Sequence, residues 1–149
     1  MFVFRITLTK YVNSLLASGR AARWNSNDVK MIYTSNSKAL ACLENVVHRN
    51  KLGLSSNFSV MEIDIPNSIA ITEIFLSKLP KYWDQFENMH LMQKIGDQWI
   101  NDCKTAVLKV PSSIIHDEFN YLLNPNHLDF EKIKLIKVKP FLFDDRIKN

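Results

Sequence analysis

Glycine scarcity is the feature that most constrains this chain. It has only three glycines in 149 residues, and Gly19, Gly53 and Gly96 stand far apart. The common phosphate-binding loops need clustered glycines, because the backbone must approach a phosphate closely. The sequence therefore excludes both a Walker-type loop and a G-x-G-x-x-G turn. Its length fits one domain over residues 1–149, which would bury about two-thirds of its unfolded surface.

The charge of the chain is moderately basic. Nineteen Lys and Arg residues against fifteen Asp and Glu residues give a formal net charge of +4. Four of the lysines alternate with apolar residues near the C terminus: Lys132, Lys134, Lys137 and Lys139. Such alternation is typical of the solvated face of a strand, and we favour that interpretation over contact with nucleic acid.

Cysteine and histidine usage bears on compartment and metal binding. Cys42 and Cys103 are too few for a disulfide framework or a cysteine zinc site, which indicates a reducing, cytoplasmic location. The four histidines are scattered, and none pairs with a carboxylate at ligand spacing, so no metal is expected. Arg5 and Lys10 interrupt the apolar N-terminal residues, and no stretch is long enough to span a membrane. We therefore expect neither a signal peptide nor a membrane contact.

The spacing of apolar residues predicts strands and helices that do not alternate regularly. Strands are predicted over 2–9, 30–34, 57–65, 71–76, 105–110 and 132–139, the last with a bulge between Leu135 and Ile136. Helices are predicted from N-caps at 35–37 to about residue 51, closed near Gly53, and over 88–103. Because strands outnumber helices, we predict an α+β fold, a single compact domain with mixed, mainly antiparallel sheets and a few helices.

Glu44 lies at the border of the apolar stripe of the first predicted helix. At about 100° per residue it projects beside Leu40 and Val47, with Ala41 and His48 on its other flank. A carboxylate in that position loses hydration, which is unfavourable unless the group is paired or used. Two interpretations stay open, an ion pair with a nearby arginine, which helix geometry alone slightly favours, and a functional carboxylate.

A set of polar and aromatic residues has no role that a generic fold requires. Its members are Arg23, Trp24, Asn25, Tyr33, Glu44 and Ser112, with Asn120, Tyr121, Asn124 and Pro125 as a second cluster. Each has an ordinary explanation by itself, as an edge aromatic, a turn former or a cap. Together they supply an arginine fork, an aromatic platform and one carboxylate. That combination would suit cleavage at a sugar carbon of a nucleotide through an oxocarbenium-like transition state.

Several short motifs also follow one another at characteristic spacings. In the first half they are Phe4-Arg5-Ile6, Gly-Arg-Ala-Ala-Arg-Trp-Asn-Ser at 19–26, Ile32-Tyr33-Thr34-Ser35, and Ala39 through Leu43-Glu44 to Val47-His48. In the second half they are Gly96-Asp97 with Trp99, Val110-Pro111-Ser112, Asn120 through Asn124-Pro125 with His127, Asp129 and Phe130, and Phe141 through Phe143-Asp144 to Arg146. In order and spacing, this series resembles the RES domain family over nearly the whole chain.

The resemblance implies a bacterial toxin of a toxin–antitoxin pair that consumes NAD+, with a fold similar to that of the ADP-ribosyltransferases. It implies cleavage of the nicotinamide–ribose N-glycosidic bond by hydrolysis or phosphorolysis, with NAD+ as substrate and no other cofactor. The residues that match the family's functional positions are Arg23, Tyr33, Glu44 and Ser112. Two departures concern the loop: Ala22 stands where glycine is common, and Asp28 lies where a Pro-Gly turn is usual.

Each of these side chains is expected to have a distinct role. Arg23, helped by Arg5, would hold the pyrophosphate through charge-assisted hydrogen bonds. Tyr33 would stack on or brace the nicotinamide end, and Ser112 would hydrogen-bond the nicotinamide amide or the adjoining ribose. Glu44 would stabilise the ribosyl cation and align water or phosphate. Asn25 and Asn124 are expected to complete the binding site.

The resemblance also implies a partner, a small helix-turn-helix antitoxin of the Xre type that covers the site and represses the operon. DNA contact would then be indirect, and the toxin would be a homodimer within the complex. Two other functions stay open. An ADP-ribosyltransferase that modifies a protein would use the same site, whereas a non-catalytic nucleic-acid-binding module would use the basic C-terminal strand.

Overall fold

Seven strands, three α-helices and four short 3-10 helices make up the regular structure of residues 1–148, the part of the chain that the computed structural model describes. The strands are β1 (Phe2–Leu8), β2 (Ile32–Ser35), β3 (Phe58–Asp64), β4 (Ile71–Glu73), β5 (Val107–Pro111), β6 (Phe119–Leu123) and β7 (Lys134–Phe141). The helices are α1 (Lys38–His48), α2 (Lys51–Leu54) and α3 (Met89–Asp102). All seven strands form one sheet in the order β4-β5-β6-β2-β1-β3-β7. Only β4 and β5 are parallel neighbours within it, so the predicted α+β class is confirmed.

The bulge predicted in the last strand is present. Glu62 of β3 lies opposite Lys137, whereas the next residue, Ile63, lies opposite Leu135, so Ile136 is the extra residue. A β-bulge restores the alternation of faces after such a slip. The irregular apolar pattern of β7 therefore predicted its backbone geometry correctly.

The lysines of β7 lie beside acidic residues of β3. Glu62 is the cross-strand partner of Lys137, and Asp64 is the partner of Lys134. Opposite charges directly across a ladder stabilise strand pairing. This register supports the interpretation of the basic stripe as the solvated face of an edge strand.

Two helix details differ from the sequence-based expectation. Helix α1 ends at His48 because Arg49 is extended, and Gly53 lies inside the separate one-turn helix α2 rather than at the end of α1. The buried face of α1 is centred on Leu40 and Ala41, whereas Val47 is 48% exposed. The predicted stripe through Val47 was therefore wrong by part of a turn.

The strand missed by the sequence prediction is β6, although it lies inside the sheet between β5 and β2. Its residues Tyr121, Leu122 and Leu123 are buried, as expected for a central strand. Asn120 and Asn124 gave this segment the composition of a turn, and turn residues normally weaken a strand prediction. Asn120, the second residue of β6, lies at the cavity described below.

Strands β1 and β2 diverge within the sheet. They share a single register pair, Phe4 opposite Ser35, whereas β1 pairs with β3 along its whole length. The residues that follow Phe4 and precede Ser35 line a cavity instead of pairing with each other. The divergence of these two strands therefore positions the candidate site.

Candidate active site

A cavity of about 570 Å³ opens where β1 and β2 diverge. Its walls come from β1, from the loop 19–29, from β2, from α1 and from the start of β6. The polar lining includes four residues predicted for the site, Arg5, Arg23, Tyr33 and Glu44, together with Arg49 and Asn120. Glu44 is the one carboxylate among the described lining residues, and three arginines line the same cavity. A pocket with these charges is suited to a ligand that carries negative groups, such as phosphates or carboxylates.

Glu44 projects from α1, which follows β2 directly and is N-capped by Ser37, whose hydroxyl accepts a hydrogen bond from the amide of Leu40. The Oε1 atom of Glu44 accepts hydrogen bonds from Ser112 Oγ at 3.1 Å and from Asn120 Nδ2 at 2.7 Å. Among residues 1–148 no ion pair within 4.0 Å involves Glu44. The structure therefore rejects the arginine ion pair and leaves a carboxylate held by neutral donors.

Ser112 lies behind Glu44 instead of in the cavity wall. It follows β5, is fully buried, and its Oγ accepts hydrogen bonds from the amides of Ile114 and Ile115 at 3.1 and 3.2 Å. Its proton is directed to Glu44. The structure thus brings Ser112 to the expected carboxylate but does not expose its hydroxyl to a nicotinamide.

Asn25 organises the loop that contains Arg23. It is 1% exposed, and its Nδ2 atom donates to the carbonyl oxygens of Arg20, Ser26 and Val29 at 2.9 to 3.1 Å. A short backbone bridge between Ala22 and Asn25 closes the turn around Arg23. Asn25 is absent from the described cavity lining, so the structure gives it a place in loop architecture and no direct place beside a ligand.

Tyr33 connects β2 to the same loop. Its hydroxyl donates to Asn25 Oδ1 at 2.6 Å and accepts a hydrogen bond from the amide of Trp24 at 3.1 Å. Burial raises the pKa of Tyr33, and the hydrogen bond from Trp24 opposes that rise. The hydroxyl is therefore neutral and engaged, which leaves the ring as the part of Tyr33 available to the cavity.

Helix α3 holds the other side of the loop, through residues that the sequence prediction did not assign to the site. Gln93 Nε2 donates to the carbonyl oxygen of Ala22 at 2.9 Å. The carboxylate of Asp97 accepts hydrogen bonds from the amide and the hydroxyl of Ser26 at 2.9 and 2.5 Å. The Gly96-Asp97 pair was visible as a motif, but nothing in the sequence alone linked it to the loop.

The two arginines expected to bind the pyrophosphate both line the cavity. Arg23 Nη1 donates to the carbonyl oxygen of Trp83 at 3.2 Å, and Arg5 Nη1 donates to that of Leu16 at 2.8 Å. Burial lowers the pKa of both guanidinium groups, and for Arg23 the charges of Asp84 and Glu44 oppose that effect. Both remain cations, because an arginine pKa starts far above neutrality. Each has further N–H groups for a ligand.

The structure does not bring Asn124 to the cavity. It follows the far end of β6, is fully buried, and its Oδ1 accepts a hydrogen bond from the amide of Asn126 at 2.9 Å. Asn120, at the near end of the same strand, is the asparagine in the cavity lining. The expected place of Asn124 in the binding site is therefore wrong, and Asn120 lies at the cavity instead.

In residues 1–148, no group of three or more His, Cys, Asp and Glu side chains is arranged to hold a metal ion. None of the helices in this part of the chain combines the length and the apolar character needed to cross a membrane.

Known proteins provide an independent comparison. A family model described as RES domain matches residues 3–144. The chain is 41% identical over 127 residues to a protein named Prs ADP-ribosylating toxin from Sphingobium sp. (strain YBL2), and the match covers 84% of this chain and 79% of that protein. It is 34% identical over 153 residues to a protein named Toxin Res from Photorhabdus laumondii subsp. laumondii, covering 99% of this chain and 97% of that protein.

A solved structure has a similar fold. It is a chain of the M. tuberculosis MbcT-MbcA toxin-antitoxin complex, and the superposition has a TM-score of 0.74. The match covers 95% of this chain and 84% of that chain at 13% sequence identity. At this level of identity the comparison concerns the fold alone.

Proposed function

The chain belongs to the RES domain family, and we propose that it is a toxin that depletes NAD+ by cleaving the bond between nicotinamide and ribose. The observation that supports this most directly is the single carboxylate, Glu44, facing a cavity with Arg5, Arg23 and Arg49 in its walls. Nicotinamide leaves as a neutral molecule, so positive charge develops on the ribosyl group in the transition state. A nearby carboxylate lowers the energy of that charge, and arginines balance the pyrophosphate.

The proposed reaction needs an acceptor for the ribosyl carbon. As the carbon–nitrogen bond breaks, its electron pair stays on the nicotinamide ring nitrogen, which becomes neutral. A water molecule or an inorganic phosphate bonds to the ribosyl carbon in its place. With water, the proton passes to the Glu44 carboxylate and then to solvent, and the product is ADP-ribose. With phosphate, the product is ADP-ribose phosphorylated at that carbon.

Tyr33 would contact the nicotinamide group of NAD+, and the arginines would bind its pyrophosphate. The hydroxyl of Tyr33 is engaged by the loop, so its ring would contact nicotinamide by stacking, as its place in the cavity lining allows. Arg23 uses one N–H on Trp83 and would offer others to the pyrophosphate. Such bidentate contacts orient the ribose toward Glu44 and raise the effective concentration of the reacting groups.

The test is nicotinamide release from NAD+ by the purified chain. Glu44→Gln removes the charge with little change in shape, and we expect a loss of about a hundredfold in rate, near 3 kcal/mol of barrier. Glu62→Gln is the matched control, because Glu62 is a half-buried carboxylate on β3 that is not among the cavity-lining residues. Its Oε2 atom lies 3.8 Å from Lys38 Nζ. Equal rates for wild type and Glu44→Gln would refute the assignment.

A second candidate function is transfer of ADP-ribose to a protein. It is favoured by the name of the Sphingobium relative, an ADP-ribosylating toxin at 41% identity. The bond cleavage is the same, and only the acceptor differs. NAD+ labelled in the adenylate group distinguishes the two functions in a bacterial lysate, since transfer gives a labelled protein band, whereas depletion gives only small labelled products and free nicotinamide.

We further propose an antitoxin partner of the Xre helix-turn-helix type, which would cover the cavity in a complex with a toxin homodimer. The similar fold of a chain solved in a toxin-antitoxin complex supports a partner of this kind. Co-expression with the product of an adjacent reading frame should restore growth and yield a co-purifying complex. Growth arrest that persists in the presence of that product, without a complex, would argue against it.

A further inference from the structure

We propose that Asn120 and Ser35 are positioning residues that fix the Glu44 carboxylate and leave its Oε2 atom as the working oxygen. This inference rests on the proposed function, because it concerns how Glu44 is held for the cleavage of NAD+. Neither residue was assigned a role by the sequence motifs. Both line the cavity, yet their hydrogen bonds lead to Glu44 and to each other.

The register of the sheet brings the two residues together. Ser35 at the end of β2 is the direct cross-strand partner of Asn120 at the start of β6, so their side chains lie on the same face of the sheet. Ser35 Oγ donates to Asn120 Oδ1 at 2.7 Å. Asn120 Nδ2 in turn donates to Glu44 Oε1 at 2.7 Å. The three groups form one directed chain from β2 to α1.

The direction of this chain is determined by its chemistry. A carboxylate accepts hydrogen bonds but cannot donate one. If the Asn120 amide were turned over, its oxygen would face the Glu44 carboxylate and its NH2 group would lose that partner. The hydroxyl proton of Ser35 keeps the amide oxygen on the far side, so Ser35 acts on Glu44 only through Asn120.

Ser112 completes the arrangement from the opposite side. Its oxygen already accepts two backbone N–H bonds, so its single proton is the group it offers to Oε1 of Glu44. Two donors therefore occupy the same carboxylate oxygen. Among the described residues no hydrogen bond reaches Oε2, and no buried side-chain oxygen or nitrogen lacks a partner. It follows that Oε2 is exposed, and the cavity is the open space beside Glu44.

These two hydrogen bonds orient the Glu44 carboxylate. A glutamate has three side-chain torsions, and a carboxylate free to rotate would spend little time aimed at the ribosyl carbon. Two fixed donors on Oε1 select one orientation before substrate binds. Misplacement of a catalytic group by about 1 Å can reduce a rate a hundredfold. Loss of the Asn120 donor should therefore lower kcat and leave KM for NAD+ nearly unchanged.

The experiment compares initial rates of nicotinamide release for Asn120→Ala, Ser35→Ala, the double variant and Glu44→Gln. Asn120→Asp is included because it keeps the side-chain shape while facing the Glu44 carboxylate with a like charge. Thr72→Val is the matched control, since it removes a half-buried side-chain hydrogen bond, between Thr72 and Thr105 at 2.8 Å, on the edge strand β4. Thermal unfolding of each variant checks the folded fraction.

We expect kcat to fall about 10- to 100-fold in Asn120→Ala and further in Asn120→Asp, with KM within about twofold. Ser35→Ala should lower kcat in the wild-type background but cause no further loss when Asn120 is already alanine. A rise in KM with unchanged kcat would show that Asn120 binds substrate. Additive losses of kcat from Ser35→Ala and Asn120→Ala would show that Ser35 does not act through Asn120. Either result overturns the proposal. Full activity of Glu44→Gln would instead refute the proposed function itself.

Discussion

Gly96 on α3 lies so close to Trp24 that a Cβ atom built on the glycine would stand 1.7 Å from the main-chain oxygen of Trp24. No side chain fits at that distance without displacement of the backbone. The glycine weakens the helix by about 1 kcal/mol relative to alanine, and here that loss permits the contact between α3 and the loop 19–29. One of the three glycines therefore does serve the candidate site, by close packing and without contact to a phosphate.

Gly96→Ala should accordingly destabilise the protein in spite of its better helix propensity. Overpacking against backbone is expected to cost about 2 kcal/mol, which lowers the melting temperature by about 4–8 °C for a domain of this size. Activity should fall too, because Trp24 is adjacent to Arg23. Gly53→Ala is the matched control, as its nearest neighbour is the Asn50 side chain at 3.3 Å. Similar melting temperatures for Gly96→Ala and wild type would show that the loop moves aside freely.

The sequence predicted elements well where one face is apolar and the other polar. In the strand predicted over 57–65, the apolar residues Met61, Ile63 and Ile65 alternate with Glu62 and Asp64. All three apolar side chains are buried, as this alternation predicts. The N-cap of α1 was also predicted, and Ser37 fills that role. These features depend on local periodicity and capping chemistry, which a single sequence displays directly.

The candidate site was predictable only as a set of residue types. Motif resemblance selected Arg23, Tyr33, Glu44 and Ser112, but spacing along the chain does not say which side chains face the cavity. Burial of Ser112 and the remote position of Asn124 are consequences of strand register and of the turn after β6. Asn120 went unassigned because a polar residue in a central strand resembles a turn until its partner is known.

Asp97 should prove important for activity although it is outside the cavity lining. Its carboxylate accepts two hydrogen bonds from Ser26, and in Asp97→Asn the amide would offer a donor where an acceptor is required. We expect a loss of about 1–3 kcal/mol in stability and a higher KM for NAD+, because the loop presents Arg23. Asp102→Asn on the same helix, which removes the charge of an exposed acceptor of Gln98, should leave both unchanged. Identical KM values in the two variants would disprove the link.

Because the Tyr33 hydroxyl is buried, we expect the protein to lose stability at alkaline pH. Burial raises the pKa of Tyr33 above its ordinary value of 10.0, so above pH 10 the unfolded chain releases this proton while the folded chain retains it. The folded state then binds more protons, and the free energy of unfolding falls as pH rises, by up to about 1.4 kcal/mol per pH unit from this group. Urea unfolding at pH 8 and pH 11 should show a wild-type advantage over Tyr33→Phe that shrinks at the higher pH. Tyr11→Phe, at an exposed position, is the control, and a constant advantage of wild type over Tyr33→Phe would contradict the prediction.

Ser112→Ala distinguishes the role expected from the sequence from the place that the structure gives this residue. If Ser112 contacted nicotinamide, its removal would raise KM for NAD+. Because Ser112 is buried and donates to Glu44, we expect kcat to fall about tenfold with KM nearly constant, and stability to fall by about 1–2 kcal/mol because two backbone amides lose their acceptor. Ser55→Ala is the control, since its hydroxyl bonds the carbonyl of Leu52 at an exposed site after α2. A large rise in KM with unchanged kcat would place Ser112 at the substrate after all, and would require the segment after β5 to rearrange when NAD+ binds.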